Sequence, residues 1–408
     1  MKRMITLLPA LALLLALTAC GEAGEGPSVD LDRNFAQEFA FCATEDAVYF
    51  SQWAGDDAIL YGDKESGIGG LLCGKPECDH KGSDCNAVVD YAYAADPRGM
   101  ADYDGKLYVA TARGVYRMDY DGSNHETLYK IPRELVNKMN FHNVFFHRGC
   151  AYYVGASHTV ENGVAVRGPF AYRVSLTDPD EEPAVIFEEL VPDRWDYEEY
   201  DMVGNYLYLF LRTWGMDDAT RGDKWLYIER FDIETEQSEV LYDEAIDFTP
   251  YEFWALDDTV LMDNGAAILE LDWKTGTFSQ RFSFDEGLSE NRYFAENKAI
   301  SIARAEPDNE NSWRTPQPYV YCVKDFEGST IASGRIEPPE FGEDNGFATS
   351  MVFIGADDEA LYVLYEQLSA GGQPESWRKS RLVQAPLDGS NQRTIAEYDY
   401  ISRIGEHR

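Results

Sequence analysis

One pattern recurs along most of this chain and limits its fold more than any other feature. Each copy holds a short aromatic or aliphatic strand, a tight Asp-Gly or Asn-Gly type turn and an LYV-like strand. A variable loop, an alternating strand and a polar turn into a last strand follow. The clearest copy is MADYDGKLYVATARGVYRMDYDGSNHETLY, residues 100–129. Asp104-Gly105 is its hairpin signal, because a two-residue turn that matches strand twist needs positive φ at both positions. Gly114 permits the next turn, and Asp121-Gly122-Ser123-Asn124 closes the outer hairpin. Other copies show as AFCATEDAVYFSQ just after Phe39, AYYVGAS, NYLYLFLRTW, ALDDTVLMDNG, KAISIARA and EALYVLYEQ. The repeat length of about 50 residues, with four strands per unit, is the signature of an all-β propeller built from four-stranded blades. One such sheet cannot bury both faces, whereas radial stacking buries them and ring closure removes open edges. Seven units predict seven blades, with six or eight as the neighbouring counts. Residues 30–39 or 400–404 are placed to complete a blade from the opposite terminus. Residues 132–140 are the best helical candidate.

Composition agrees. Hydrophobic residues make up 44% of the chain, with 26 Tyr, 21 Phe and 8 Trp, a mixture that favours strands and fills a large core. The net charge of −38, from 73 acidic and 35 basic residues, excludes nucleic acid as an expected partner, since phosphate needs compensating Lys and Arg. It also disfavours direct adsorption to anionic lipid. Solubility outside a cell accounts for the charge, and attraction of cations is the sharper alternative.

The N-terminus predicts an address. Lys2 and Arg3 precede an apolar run that ends at Leu17-Thr18-Ala19-Cys20-Gly21. This is a secretory signal, too short for a stable membrane span. It resembles the bacterial lipoprotein lipobox. The resemblance implies cleavage before Cys20, a diacylglycerol on its thiol and a palmitate-type acyl chain beside it. At about 0.8 kcal/mol per buried CH₂, two chains hold a protein firmly at a membrane. The expected division is residues 1–19 as signal peptide, 20–32 as lipidated Cys20 and flexible tether, and 33–408 as propeller. The expected location is extracytoplasmic, on a bacterial membrane.

Unusual chemistry concentrates in LCGKPECDHKGSDCN, residues 72–86. Cys73, Cys78, His80 and Cys85 offer three thiolates and an imidazole within reach of one ion, a set that suits a closed, structural zinc site. Asp79 and Asp84 are available to orient the histidine. Disulfides are the rival reading outside the cytoplasm. Cys42, Cys73, Cys78, Cys85, Cys150 and Cys322 remain after Cys20 is lipidated, and Cys42 is the natural fourth partner. Cys150 and Cys322 sit in strand-like runs and read as core. His142 and His147 fall on opposite faces of one strand, which argues against a joint role. Residues 119–124 begin like a calcium loop but lack its acidic twelfth position, so a turn is expected.

The repeats carrying YRMDYDGSN and QAPLDGSNQ resemble low-density-lipoprotein-receptor-type propeller repeats of secreted bacterial proteins of unknown function. The LCGKPECDH stretch resembles a motif of acidic surface lipoproteins from Gram-positive anaerobes. The resemblance implies a propeller at the cell surface and no catalytic residues. The Tyr-Trp-Thr-Asp signature of the animal receptors is absent, so their partners do not transfer.

Candidate binding residues gather in three places. DRWDYEEYD, residues 193–201, interleaves Trp195 and Tyr197 with acids, and reads either as a cation or sugar site or as a solvated connector with a packed Trp. Trp214 and Trp313 lie in long insertions between strands, where loops on a rigid ring carry binding residues. No nucleophile elbow, phosphate-binding glycine loop or His-Glu-x-x-His is present. The expected function is therefore binding of a surface ligand, glycan or protein through one face, without catalysis. Two alternatives stand beside it. One is a carbohydrate-active enzyme using paired carboxylates, for which acids are too numerous to nominate a pair. The other is an envelope scaffold.

Overall fold

The computed structural model describes residues 40–51, 58–78, 80, 84–89, 97–136, 139–161, 164–178, 181–188, 195, 197–213, 224–285, 291–295, 297–306, 316–341, 348–368 and 375–403. The expected signal peptide and tether, with Cys20, Trp214 and Trp313, lie outside these residues.

Seven four-stranded antiparallel sheets follow one another along the chain, each with its strands in sequence order. They are the blades of a seven-bladed propeller, as the repeats predict. Blade 1 runs from Phe41–Ala43 to Gly69–Leu71, and blade 2 from Pro97–Tyr103 to Glu126–Lys130. Blade 3 spans Met139–His147 to Ala184–Glu188, blade 4 Tyr197–Val203 to Gln237–Ala245, and blade 5 Glu252–Ala255 to Thr277–Phe282. Blade 6 spans Asn291–Ala295 to Thr330–Ile336, and blade 7 Ala348–Ala356 to Arg393–Arg403. A single helical turn, Arg133–Val136, falls inside the helical candidate. No helix among the described residues is long and apolar enough to cross a membrane.

First strands of neighbouring blades touch one another: Phe41–Ala43 meets Pro97–Tyr103 on one side and Ala348–Ala356 on the other. Tyr197–Val203 likewise meets Glu252–Ala255, which meets Asn291–Ala295. First strands therefore surround the axis, and fourth strands face outward. Turn chemistry fixes the strand register. Asp104 and Gly105 take φ of 47° and 71°, the pair of left-handed residues that the Asp-Gly signal demands.

The core is divided among the seven junctions between blades, one apolar cluster at each. Burying one such aliphatic or aromatic side chain contributes about 1.5–3 kcal/mol, so these junctions dominate stability. Phe41, Phe50 and Leu60 of blade 1 pack on Tyr362, Leu364 and Ile395 of blade 7, and this contact closes the ring. A half-buried ion pair, Lys64 Nζ to Asp357 Oδ2 at 2.7 Å, and a bond from Arg393 Nη1 to the Glu65 carbonyl at 2.9 Å lie across the same seam.

One expectation is corrected here. The C-terminal segment does not cross into another blade, because Tyr400 pairs with Arg378 of its own sheet. Blade 1 supplies its own four strands too, so closure rests on side-chain packing rather than strand exchange. Residues 30–39 lie outside the described residues.

A candidate metal centre and an axial carboxylate group

The thiol cluster is built on the way out of blade 1. Its fourth strand, Gly69–Leu71, has three residues. The chain then turns, with Leu72 N–H donating to the Ile59 carbonyl at 2.9 Å and Cys78 N–H to the Lys75 carbonyl at 3.2 Å. It returns to blade 1 where Ile59 N–H donates to the Ala87 carbonyl at 2.8 Å and Ala58 bridges Val88. Lys75 Nζ ties the outgoing arm to the Asp84 carbonyl. His80 takes a left-handed φ of 57°, which aims its ring back at the cysteines.

The ligand atoms of Cys73, Cys78, His80 and Cys85 all lie within 4.8 Å of one another, an arrangement that could hold a metal ion. Cys85 Sγ stands 3.6 Å from His80 Nδ1. Tetrahedral zinc, with Zn–S about 2.3 Å and Zn–N about 2.0–2.1 Å, would put such a pair roughly 3.6 Å apart. The donor set thus fits a closed site with no open position. The surroundings also favour thiolate at one ligand. Burial raises the Cys73 thiol, but the backbone N–H groups of Lys75 and Asn86 and the neighbouring thiols bring it below the ordinary range. Burial pushes Cys85 up to about 12, and the adjacent Cys78 and Cys73 add to it, so Cys85 needs a cation beside it to ionise.

The disulfide reading draws on the same convergence, since the Cys73, Cys78 and Cys85 sulfurs also lie within 4.8 Å of one another. Cys42, Cys73, Cys78, Cys85, Cys150 and Cys322 are all free thiols. Cys42, the expected fourth partner, is buried in the first strand of blade 1, with its thiol pushed up to about 12 by burial and then by Asp102. It stands outside the group that converges on one point. Cys322 is core, as expected, and Cys150 is half-buried against the junction of blades 3 and 4.

Position gives the cluster its meaning. Leu72, Cys85, Ala87 and Val88 are buried with Met100, Leu107, Val109 and Met118 of blade 2, and Cys73 and Cys78 pack against them. The cluster is therefore wedged between blades 1 and 2, on the far side of blade 1 from the closing seam. The turn at residues 119–124 of blade 2 presses on it. A Cβ on Gly122, at φ +75°, would meet the Leu72 carbonyl at 2.3 Å. That turn is no calcium loop: Asn124 Nδ2 donates to Asp119 Oδ2 at 2.7 Å, and Lys106 pairs with the same carboxylate.

A second group lies near the axis, across blades 4, 5 and 6. Tyr197 opens the first strand of blade 4 and faces Arg212 across the ladder. The Arg212 guanidinium lies 4.1 Å above the Tyr197 ring, a cation–π contact. Glu199, two residues on, shares the face of Tyr197 and Asp201. Glu252 opens the first strand of blade 5 opposite Asp263. Arg292, in the first strand of blade 6, is ion-paired with Asp263. These residues stand at the starts of first strands or the ends of second strands, so they share one mouth of the ring.

Their electrostatics are strained. One oxygen of Glu199, Oε2, is buried and accepts no hydrogen bond. Burial, then Glu252, drive the Glu199 carboxyl well above its ordinary range, against the pull of Arg212 and a bond from the Phe253 backbone N–H. Burial raises Glu252 to about 7, with Arg212 opposing and Asp263 adding. Asp201 is satisfied, accepting from Met202 N–H and from Ala255 N–H of blade 5, both at 2.8 Å.

Sequence reasoning singled out residues 193–201 but missed Arg212 and Glu252, which only the ring brings beside Glu199. Trp195 is half-buried against Tyr227 at the junction of blades 3 and 4, packed rather than presented. Tyr197 is 38% exposed, with one face taken by Arg212. Trp214 and Trp313 belong to segments outside the described residues. His142 meets Glu198 at 3.4 Å and His147 meets Asn205 at 3.1 Å, two separate environments, as the opposite-face reading expects.

No family model matches this sequence, and no curated protein matches it. Among solved structures, the chain is similar to the WD40 domain of SCAP from fission yeast, at 8% identity over 93% of this chain and 90% of that one, with a TM-score of 0.40. It is similar to TolB from Acinetobacter baumannii, at 14% identity over 88% and 81%, with a TM-score of 0.34. It is also similar to Pyrococcus horikoshii acylaminoacyl peptidase, at 11% identity and a TM-score of 0.48, over 89% of this chain and 52% of that one. No ligand or activity carries over at such identities; the propeller assignment rests on the seven blades themselves.

Proposed function

We propose that this chain is an extracytoplasmic, membrane-tethered β-propeller that binds a polar ligand at the axial mouth formed by blades 4 to 6, with zinc as a structural staple between blades 1 and 2. Glu199, Arg212 and Glu252 carry this reading. Partly desolvated ions cost several kcal/mol each unless fully compensated. The apolar junctions already hold the ring, so a strained charge group at its mouth is better explained by a ligand than by folding. Immobilised protein screened against envelope glycans and peptides tests it. A ligand captured by the wild type and lost by Arg212→Gln supports the reading. A ligand captured equally by both moves the site elsewhere.

Cys73, Cys78, His80 and Cys85 would hold the zinc, which would supply a fixed crosslink and no chemistry, since four protein ligands close the coordination sphere. Elemental analysis with thiol counting checks this: one metal per chain and thiols reactive only after chelation. Tethering rests on the lipobox at Cys20. Labelling with an alkynyl fatty acid should mark the wild type and not Cys20→Ala.

A second reading, glycoside hydrolysis, draws on the same carboxylates. That chemistry takes a protonated acid and an ionised partner on either side of the scissile bond. Turnover of chromogenic glycosides, abolished in Glu199→Gln, would favour it over binding alone.

A further inference from the structure

The charges at the axial mouth do not balance. Asp201 is occupied by two backbone N–H groups. Asp263 is occupied by Arg292 and by Gly265 N–H at 2.8 Å. That leaves Arg212 as the cation acting on both Glu199 and Glu252. Tyr197, which also acts on Arg212, has its phenol raised by Glu199 and then by burial, so it brings no charge. One guanidinium against the two glutamates, beside an Asp201 carboxylate that accepts from backbone N–H groups, leaves the group net negative. Burial raises both glutamates, with Glu252 adding at Glu199 and Asp263 adding at Glu252, which favours a proton on the pair in the free protein.

The buried Oε2 of Glu199 adds a geometric demand. It is a buried acceptor to which no group donates among the described residues. A ligand that satisfies it must bring an N–H or O–H. A metal ion fits poorly. Among the described residues, the acidic, histidine and cysteine side chains that converge tightly enough for a metal are those of the thiol cluster, not the axial acids. An anion would meet two carboxylates against one arginine.

We propose that the axial group is a receptor site for one organic cation, a primary ammonium or a guanidinium, held by the Glu199 and Glu252 carboxylates. The proposal rests on the reading of this mouth as a binding face. The cation takes the place of the shared proton, which passes to buffer, so charge is conserved on binding. Arg212 stays stacked on Tyr197 and keeps the second carboxylate ionised. The same chemistry could come from a free polyamine or from a lysine or arginine side chain of a partner protein.

Isothermal titration calorimetry on the full chain decides it. The probes are cadaverine, the Nα-acetyl amides of lysine and arginine, and their neutral counterparts, the norleucine and citrulline amides. Titrations in two buffers of different protonation enthalpy count the proton. The cations should bind with release of a proton, and affinity should rise with pH through about 7, where Glu252 ionises. Glu252→Gln should weaken binding about tenfold or more and flatten the pH dependence. Tighter cadaverine assigns the site to free amines; tighter amides assign it to a protein side chain. If Glu252→Gln fails to fold, the proton count on the wild type decides alone. Neutral probes that bind as well as cations, and are lost in Arg212→Gln, would overturn the cation and keep the binding face. No binding by any probe overturns the inference, and the capture screen then judges the face separately.

Discussion

The thiol cluster and the axial carboxylates both gather groups whose charged forms are costly to bury, and the fold treats them in opposite ways. The cluster sits on a loop beside the thinnest part of the ring. Blade 1 has strands of three, five, five and three residues, and its fourth strand offers little ladder to hold it. There a metal held by the four side chains would add the crosslink that the sheet lacks. Glu199 and Arg212 of the axial group sit on blade 4, whose strands run to seven, seven, eight and nine residues, and Glu252 sits beside them on blade 5. That sheet is long enough to hold itself, and the raised carboxyls there are expected to lower stability rather than raise it. A buried charge group beside a weak element reads as a fastener; one on a strong element reads as a site.

Breaking the fastener should have the largest effect. A metal bound to the folded chain at 1,000 times its Kd stabilises by about 4 kcal/mol, so chelation or Cys85→Ser should cost on that order. Thermal unfolding measures the loss. Hydrogen exchange should place it at blade 1 and the adjoining face of blade 2, with blade 4 unchanged. Arg212→Gln comes next. It removes the cation that offsets two carboxylates, at a cost of about 3 kcal/mol above pH 7. The penalty should shrink as the pH falls, since the carboxyls then protonate, and denaturant unfolding at a series of pH values reads this. Gly122→Ala follows, with about 2 kcal/mol lost to left-handed strain and the clash with the Leu72 carbonyl. It should also loosen the thiol cluster, visible as faster thiol reaction under mild chelation. Tyr120→Phe should cost least, about 1 kcal/mol, by deleting its hydroxyl bond to Asp102 at the junction of blades 1 and 2.

The two regions were not equally legible in the sequence. Four thiol-cluster ligands fall within thirteen positions, so spacing alone proposes the group, and local turns bring it together. The blades were legible for a similar reason: each is a meander of neighbours, written by turn residues such as Asp104-Gly105 and by alternating strands. The axial group was not. Glu199, Arg212 and Glu252 come from two blades, and an acid in a chain this acidic carries no signal until its neighbours are known. For Trp195 the sequence left two readings, a binding aromatic or a packed one, and only the junction of blades 3 and 4 decides for packing. The position of the cluster, between blades 1 and 2 rather than at the closing seam, also needed the ring.

The contrast between fastener and site has a sharp consequence for stability. A carboxyl raised in the folded state binds protons more tightly there than in the unfolded chain. Its contribution is therefore full below the ordinary carboxyl range and is lost as the pH rises through about 7, where Glu252 ionises. Glu199→Gln with Glu252→Gln removes that loss while keeping shape and hydrogen-bonding capacity. The unfolding free energy of this double variant at about pH 8, against the wild type, is the most direct measurement. The account predicts a gain of about 2–3 kcal/mol, with ligand binding abolished. A loss of stability at that pH would show that the axial acids hold the ring together, and would contradict their reading as a site.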